Sequence, residues 1–191
     1  MKLRFTFGPS GSLARQISSG APYDVFLSAD QARVKDLIAS GDLLPDSAVN
    51  YAQGRLALWS KDGKFHSLTD LVAATHISIA NPAIAPYGLA AKQALEKSGL
   101  WEKVAPKIVY GESVRQALEY AESGNADAAL TAWSLVVQAR GVLLPATLHD
   151  PIRQSGGVVK GTQNPAAARA FLRFLVSPEG QRLLERNGFS R

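Results

Sequence analysis

Short apolar segments that read as strands alternate with amphipathic, helix-like segments along nearly the whole chain, and this constrains its fold more than any other feature. Such an alternation predicts an α/β fold with a mostly parallel sheet in each lobe, flanked by helices, because parallel neighbours need a crossover between them. Strands are expected at residues 3–7, 24–28, 55–59, 76–80, 108–110, 128–131 and 152–160, the last carrying a Gly156-Gly157 break. Helices are expected at 13–19, 32–40, 69–74, from about Gly88 to Lys97, from Ser113 onward, at 134–139, 165–176 and 178–186. Val34, Leu37 and Ile38 fall on one helical face, as do Val114, Ala117, Leu118 and Ala121. Gly41 and Ser98-Gly99 end helices, Ser113 with Gln116 forms a capping box, and Ser177-Pro178 opens the last helix.

The strand segments at 55–59 and 152–160 bracket a middle block. They predict one lobe from both chain ends, residues 1–56 plus 150–191, and a second from residues 57–149. With 191 residues, 46% of them hydrophobic, the chain can bury a real core. There is no run of 18 apolar residues, and the opening Met1-Lys2-Leu3-Arg4 leads into strand-like sequence; neither a membrane span nor an intact secretory signal is expected in this chain.

Several chemistries are excluded by residue type. No cysteine is present, which removes disulfides and thiolate sites, and His66, His76 and His149 lack metal-ligand spacing. The net charge of +5 is modest, and basic residues alternate with acidic ones in 91–96 and 181–186. That pattern describes solvated helix faces and predicts no nucleic-acid partner.

Three loops enter helices with chemistry suited to an anion. Gly8-Pro9-Ser10-Gly11-Ser12 offers two hydroxyls and permissive glycines, Pro86-Tyr87-Gly88 a phenol and a free amide, and Gly111-Glu112-Ser113-Val114 amides at a capped start. Helix N-termini carry unpaired N–H groups and about half a positive charge, so converging them can hold a dehydrated oxyanion without a counter-ion. Each loop also has a plainer reading: Ser10 and Ser12 as caps of their own helix, Tyr87 as a packed loop aromatic, Ser113 and Val114 as ordinary capping. The first loop lacks the final glycine of a nucleophile elbow and the lysine of a phosphate-binding loop. Asp24 and Asp30 have no third acidic partner and read as capping or salt-bridging residues. No enzyme is expected.

Over these same residues the sequence resembles the periplasmic molybdate-binding proteins. The resemblance is carried by Gly8-Pro9-Ser10-Gly11-Ser12-Leu13-Ala14-Arg15-Gln16-Ile17 and by Gly20-Ala21-Pro22-Tyr23-Asp24-Val25-Phe26-Leu27-Ser28-Ala29-Asp30. It continues through Asn81-Pro82, Ala85-Pro86-Tyr87-Gly88, Glu112 to Leu118, Ser177-Pro178-Glu179-Gly180 and Gly188-Phe189. It implies a type II, two-lobed periplasmic-binding fold that holds molybdate or tungstate by hydrogen bonds from neutral groups. Direct side-chain metal ligands and cofactors have no place in it. Ser10 then matches an oxyanion-holding serine, Tyr87 a tyrosine used by some members, and Val114 a backbone donor. Gly11, Ser12 and Gly88 complete the expected set. Where other members carry a tyrosine before Trp133, this chain has Ala132, for which Tyr87 substitutes.

Family members begin with a further strand, a hydroxyl-bearing loop and a helix ahead of the segment starting at Lys2. The resemblance thus implies an N-terminally shortened version whose unpaired first-lobe strands favour self-association. The implied role is the extracytoplasmic receptor of an ABC importer, periplasmic, with a membrane permease as partner and no membrane insertion. Two rivals are the effector-sensing domain of a transcriptional regulator and a remnant that binds nothing.

Overall fold

Residues 3–191 are described by a computed structural model; Met1 and Lys2 lie outside the described residues. In chain order the helices and strands of the first half are α1 (Ser10–Ser18), β1 (Val25–Ser28), α2 (Gln31–Ala39), β2 (Val49–Gly54), β3 (Leu56–Trp59), β4 (Ile77–Ala80) and α3 (Pro86–Lys97). The second half adds α4 (Trp101–Val104), β5 (Ile108–Gly111), α5 (Val114–Ser123), β6 (Ala128–Ala132), α6 (Trp133–Val136), β7 (Val142–Leu143), β8 (Ile152–Val158), α7 (Pro165–Val176) and α8 (Pro178–Arg186). Two units result, Met1–Gln53 with Arg153–Arg191, and Gly54–Ile152.

The first unit holds a three-stranded sheet in the order β1-β8-β2. β1 is apolar on both faces because both are covered. Phe26 packs with Ile17, Val34, Leu37 and Leu43 from the α1 and α2 side, while Val25 and Leu27 pack with Val158, Ala168 and Leu172. Asp30 caps α2 by accepting from the Arg33 amide at 2.9 Å, and Gly41 follows that helix with φ of +80°. Asp24 accepts from Asn164 and Thr162, so both aspartates serve structure.

Two expectations for this unit are corrected. The glycine pair does not break β8, which runs unbroken from Ile152 to Val158. A methyl group on Gly156 would lie 2.5 Å from Leu27 Cδ2 and 2.7 Å from the Phe26 carbonyl oxygen, so glycine here lets β1 come close. Residues 3–7 form no strand: alternation suits a strand, but a strand also needs a neighbour to take its N–H and C=O groups. Leu3, Phe5 and Phe7 stay exposed, Phe7 at 90%, with the rings of Phe5 and Phe7 stacked 6.1 Å apart.

The second unit holds five strands in the order β5-β4-β6-β3-β7. β4 is parallel to β5 and β6, whereas β3 is antiparallel to both β6 and β7. With β1 also antiparallel to β8, the sheets are mixed where mostly parallel ones were expected. Strand-helix alternation announces a crossover, but it does not say which neighbour a strand takes when the chain enters or leaves a unit. Leu56, Leu58, Ile77, Ile79 and Leu130 are wholly buried here, each contributing about 1.5–3 kcal/mol. Ala129 packs on α5 beside Leu118 and Ala121.

Candidate functional site

In the second unit the parallel strands β4 and β5 end side by side, Ala80 opposite Gly111, and each feeds a helix. The carboxyl edge of parallel strands is where open α/β sheets place ligands, because helix N-termini gather there. The two exits are tied together directly: the Asn81 amide donates to the Gly111 carbonyl at 2.7 Å. Asn81 also organises its own loop, its side chain accepting from the Ala83 amide at 2.9 Å and its carbonyl from the Ala85 amide at 2.9 Å.

The loop leads straight into α3, which starts at Pro86, two residues earlier than expected, so Tyr87 stands on the first helical turn. Its side chain is buried at 6% exposure and is no surface aromatic. Gly88 departs from expectation in another way. Its amide is not free but donates to the Ala85 carbonyl at 3.0 Å, as the tight first turn requires. A methyl group there would sit 2.1 Å from the Ala80 carbonyl oxygen, so Gly88 is the point at which α3 presses on the end of β4.

The start of α5 is built with more hydrogen bonds. Ser113 accepts from the Gln116 amide at 3.1 Å, as a capping serine should, and the Gln116 side chain reaches back to the Glu112 amide at 2.6 Å. Among the described residues the Val114 and Arg115 amides meet no acceptor. From the sheet below, the buried hydroxyl of Thr131 on β6 donates to the Val114 carbonyl at 3.1 Å. That of Ser78 on β4 donates to the Ala117 carbonyl at 2.6 Å.

In the first unit α1 starts beside the carboxyl end of β1. Pro9 occupies the cap position without a side-chain bond, and neither serine caps the helix. Ser10 Oγ instead accepts from the Ala29 amide at 3.1 Å, which leaves its own proton to give. Ser12 Oγ accepts from the Arg15 guanidinium at 3.2 Å, and the Ser12 amide is spent on the Pro9 carbonyl. Among the described residues the amides of Ser10 and Gly11 meet no acceptor.

The electrostatics of these three helix starts are shared with α2, α6 and α7, which also lack an acidic first turn. Acidic side chains are favoured in the first turn of a helix, yet α1, α3 and α5 have none there. Their positive ends stay uncompensated. No cluster of three or more histidine, aspartate or glutamate side chains able to hold a metal ion occurs among the described residues.

The sequence pattern of the bacterial extracellular solute-binding proteins matches residues 1–190. The chain belongs to that family. Within it, the chain is 40% identical to the molybdate-binding protein ModA of Rhodobacter capsulatus over 97% of its own length and 76% of that protein's. It is 34% identical to the putative ABC transporter substrate-binding lipoprotein YvgL of Bacillus subtilis, covering 96% of this chain and 74% of the relative. Among solved structures, the periplasmic molybdate-binding protein of Azotobacter vinelandii superposes with a TM-score of 0.91 at 35% identity, over 97% of this chain and 86% of that one. This family member therefore has the α/β fold of the periplasmic binding proteins.

For this solute-binding protein, the sequence pattern marks the three loop-to-helix junctions, with α1 starting three residues and α3 two residues earlier than expected, but not what holds them. The Ser10–Ala29 bond, the Asn81–Gly111 tie and the two buried hydroxyls all join segments far apart in the chain. Ser78 and Thr131 did leave one signal. Each is a polar residue inside an apolar strand, and a buried hydroxyl has to find a partner.

Proposed function

We propose that this member of the solute-binding family binds molybdate, or tungstate, as the extracytoplasmic receptor of an ABC importer, and hands the ion to a membrane permease. The observation that carries the reading is the identity of 35–40% to proteins named for molybdate binding, on a chain whose Ser10, Gly11, Val114 and Arg115 amides meet no acceptor among the described residues. The residues put forward as oxyanion donors are Ser10 and Gly11, with Ser12 beside them, at the start of α1, Tyr87 at the start of α3 and Val114 at the start of α5. Gly88 contributes by close packing, its amide being already used. Neutral dipoles replace the water shell of a tetrahedral dianion, so discrimination against sulfate comes from the size of the space they enclose and not from charge. The lobes of the receptor are the two units.

No reaction is assigned to the chain. The Ser10 and Ser12 hydroxyls accept from the Ala29 amide and the Arg15 guanidinium, and among the described residues neither is hydrogen-bonded to a general base. The site of action is the periplasm or cell exterior. Self-association through the first unit belongs to the same proposal, supported by the exposed Leu3, Phe5 and Phe7 and by β1 at the sheet edge; sedimentation at rising concentration tests it. Titration calorimetry with molybdate, tungstate, sulfate and phosphate tests the main reading. Binding of the two heavier oxyanions with sulfate and phosphate far weaker is expected, and a clear preference for sulfate overturns it.

A further inference from the structure

Resting on the oxyanion reading above, we infer that Thr131 is a positioning residue: its hydroxyl, bonded to the Val114 carbonyl, fixes the first peptide plane of α5 and aims the Arg115 amide, beside that of Val114, at the ligand. Thr131 touches no ligand in this scheme. It acts through the helix.

The argument starts from burial. Thr131 and Ser78 are both wholly inaccessible to solvent, in strands that are otherwise apolar, and an unpaired hydroxyl there would be costly. Both are satisfied by the same helix. Thr131 donates to the first residue of α5 and Ser78 to the fourth, at 3.1 and 2.6 Å. The strands that carry them are parallel neighbours, with Ser78 opposite Ala129, so the two hydroxyls lie two register positions apart on one face of the sheet. The first turn of α5 is thus pinned at two points to the sheet beneath it.

The two pins have different consequences. The Val114 carbonyl and the Arg115 N–H belong to one rigid peptide plane, so a bond to that oxygen sets the direction of that N–H. Donation to the carbonyl also polarises the amide and strengthens its N–H as a donor. The Val114 and Arg115 amides are the two on this helix that meet no acceptor among the described residues. Ser78 grips the Ala117 carbonyl one turn further on, where the neighbouring amides already have partners: Gln116 N–H bonds to Ser113 Oγ and Ala117 N–H to the Ser113 carbonyl. Loss of the Ser78 bond loosens the helix, whereas loss of the Thr131 bond misdirects the Arg115 donor.

Gly111 completes the arrangement. A methyl group on it would lie 2.8 Å from the Ala117 amide nitrogen and 3.2 Å from the Ser113 carbonyl oxygen, so the chain just before the helix is seated tightly against it. With the helix start held this closely, a single hydrogen bond decides orientation and not gross position.

The test compares Thr131→Val, which keeps shape and removes the hydroxyl, with Thr131→Ser, which restores it, and with Ser78→Ala. Molybdate affinity is measured by calorimetry and unfolding by thermal melting, on the full chain. Thr131→Val is expected to weaken molybdate binding roughly three- to tenfold, and Thr131→Ser to bind within about twofold of the unaltered chain. Ser78→Ala should lower the melting temperature and leave affinity within about twofold. Equal loss of affinity in Thr131→Val and Ser78→Ala, or unchanged binding by Thr131→Val, overturns the inference and leaves the oxyanion reading standing. Amide spectra of the unaltered chain give a test that needs no variant. The Val114 and Arg115 signals should both move on addition of molybdate, and if molybdate binds while the Arg115 signal stays still the assignment is wrong. An unaltered chain that binds no molybdate ends both proposals.

Discussion

At the scale of single residues, Ser10 carries two duties, and its replacement separates them. Its oxygen accepts from the half-buried Ala29 amide, and its proton is available to a ligand. Ser10→Ala should therefore lower the melting temperature of the free protein, since an orphaned amide costs about 1–3 kcal/mol. It should also weaken molybdate binding by one to two orders of magnitude, the worth of about 1.5–3 kcal/mol for a hydrogen bond to a charged group. Calorimetry that finds unchanged affinity beside a lowered melting point would assign Ser10 to structure alone. Asp127 gives a second prediction, remote from the helix starts. Its carboxylate accepts from the His76 amide at 3.0 Å and from the Thr75 amide at 2.6 Å, and these bonds, His76 first, hold its pKa below the ordinary carboxylate value. A depressed folded-state pKa contributes stability that is fully present above the unfolded value and is lost as pH falls through the folded one. Asp127→Asn should accordingly lower the melting temperature by a few degrees from pH 5 to 8, as about 1 kcal/mol does in a chain of this size, and the gap should close below about pH 4. A gap that persists unchanged in acid refutes the account.

At the scale of elements, the glycines show which helix joints tolerate change. Gly88 sits where α3 meets β4, with backbone atoms 2.1 to 2.9 Å from any added methyl group. Gly88→Ala should cost about 3 kcal/mol, near 10 °C of melting temperature, because neither the Ala80 carbonyl nor the Asn81 carbonyl carbon can yield cheaply. Gly124, which ends α5 with φ of +84°, has open space around it, so Gly124→Ala pays only the left-handed conformation, about 1 kcal/mol. Melting curves for the two variants should rank in that order; equal losses would mean that the packing at Gly88 relaxes. The elements that were legible in the sequence are those with local signals. α2, α5 and α8 carry caps and one-sided apolar stripes, and β1, β4 and β6 are short apolar runs. β2, α4 and β7 went unread for want of such signals. β2 mixes Asn50 and Gln53 with apolar residues, α4 is four residues long, and β7 has two residues and exists because β3 offers it an edge. Residues 3–7 err in the opposite direction, carrying the pattern of a strand without gaining the strand.

At the scale of the whole molecule, ligand and stability are linked. A ligand that binds only the folded protein stabilises it by about 2.7 kcal/mol at a hundredfold excess over its dissociation constant, or roughly 5–10 °C for this length. Molybdate and tungstate should produce that rise, and sulfate at the same concentration should produce little; equal shifts for all three would point to a nonspecific salt effect. The sequence by itself determined the class of fold, most of the helices, and the three loops that enter helices with hydroxyls, a phenol or a capped start. These follow from periodicity, capping and glycine chemistry, which act over a few residues. Only the tertiary structure decided which strands run antiparallel, that Gly88 spends its amide on Ala85, that Ser10 serves Ala29, and that Thr131 reaches beneath α5 to hold Val114. Those facts arise from contacts between residues distant in the chain. No local pattern encodes the partner of a buried hydroxyl or the neighbour of a strand until folding brings the two together.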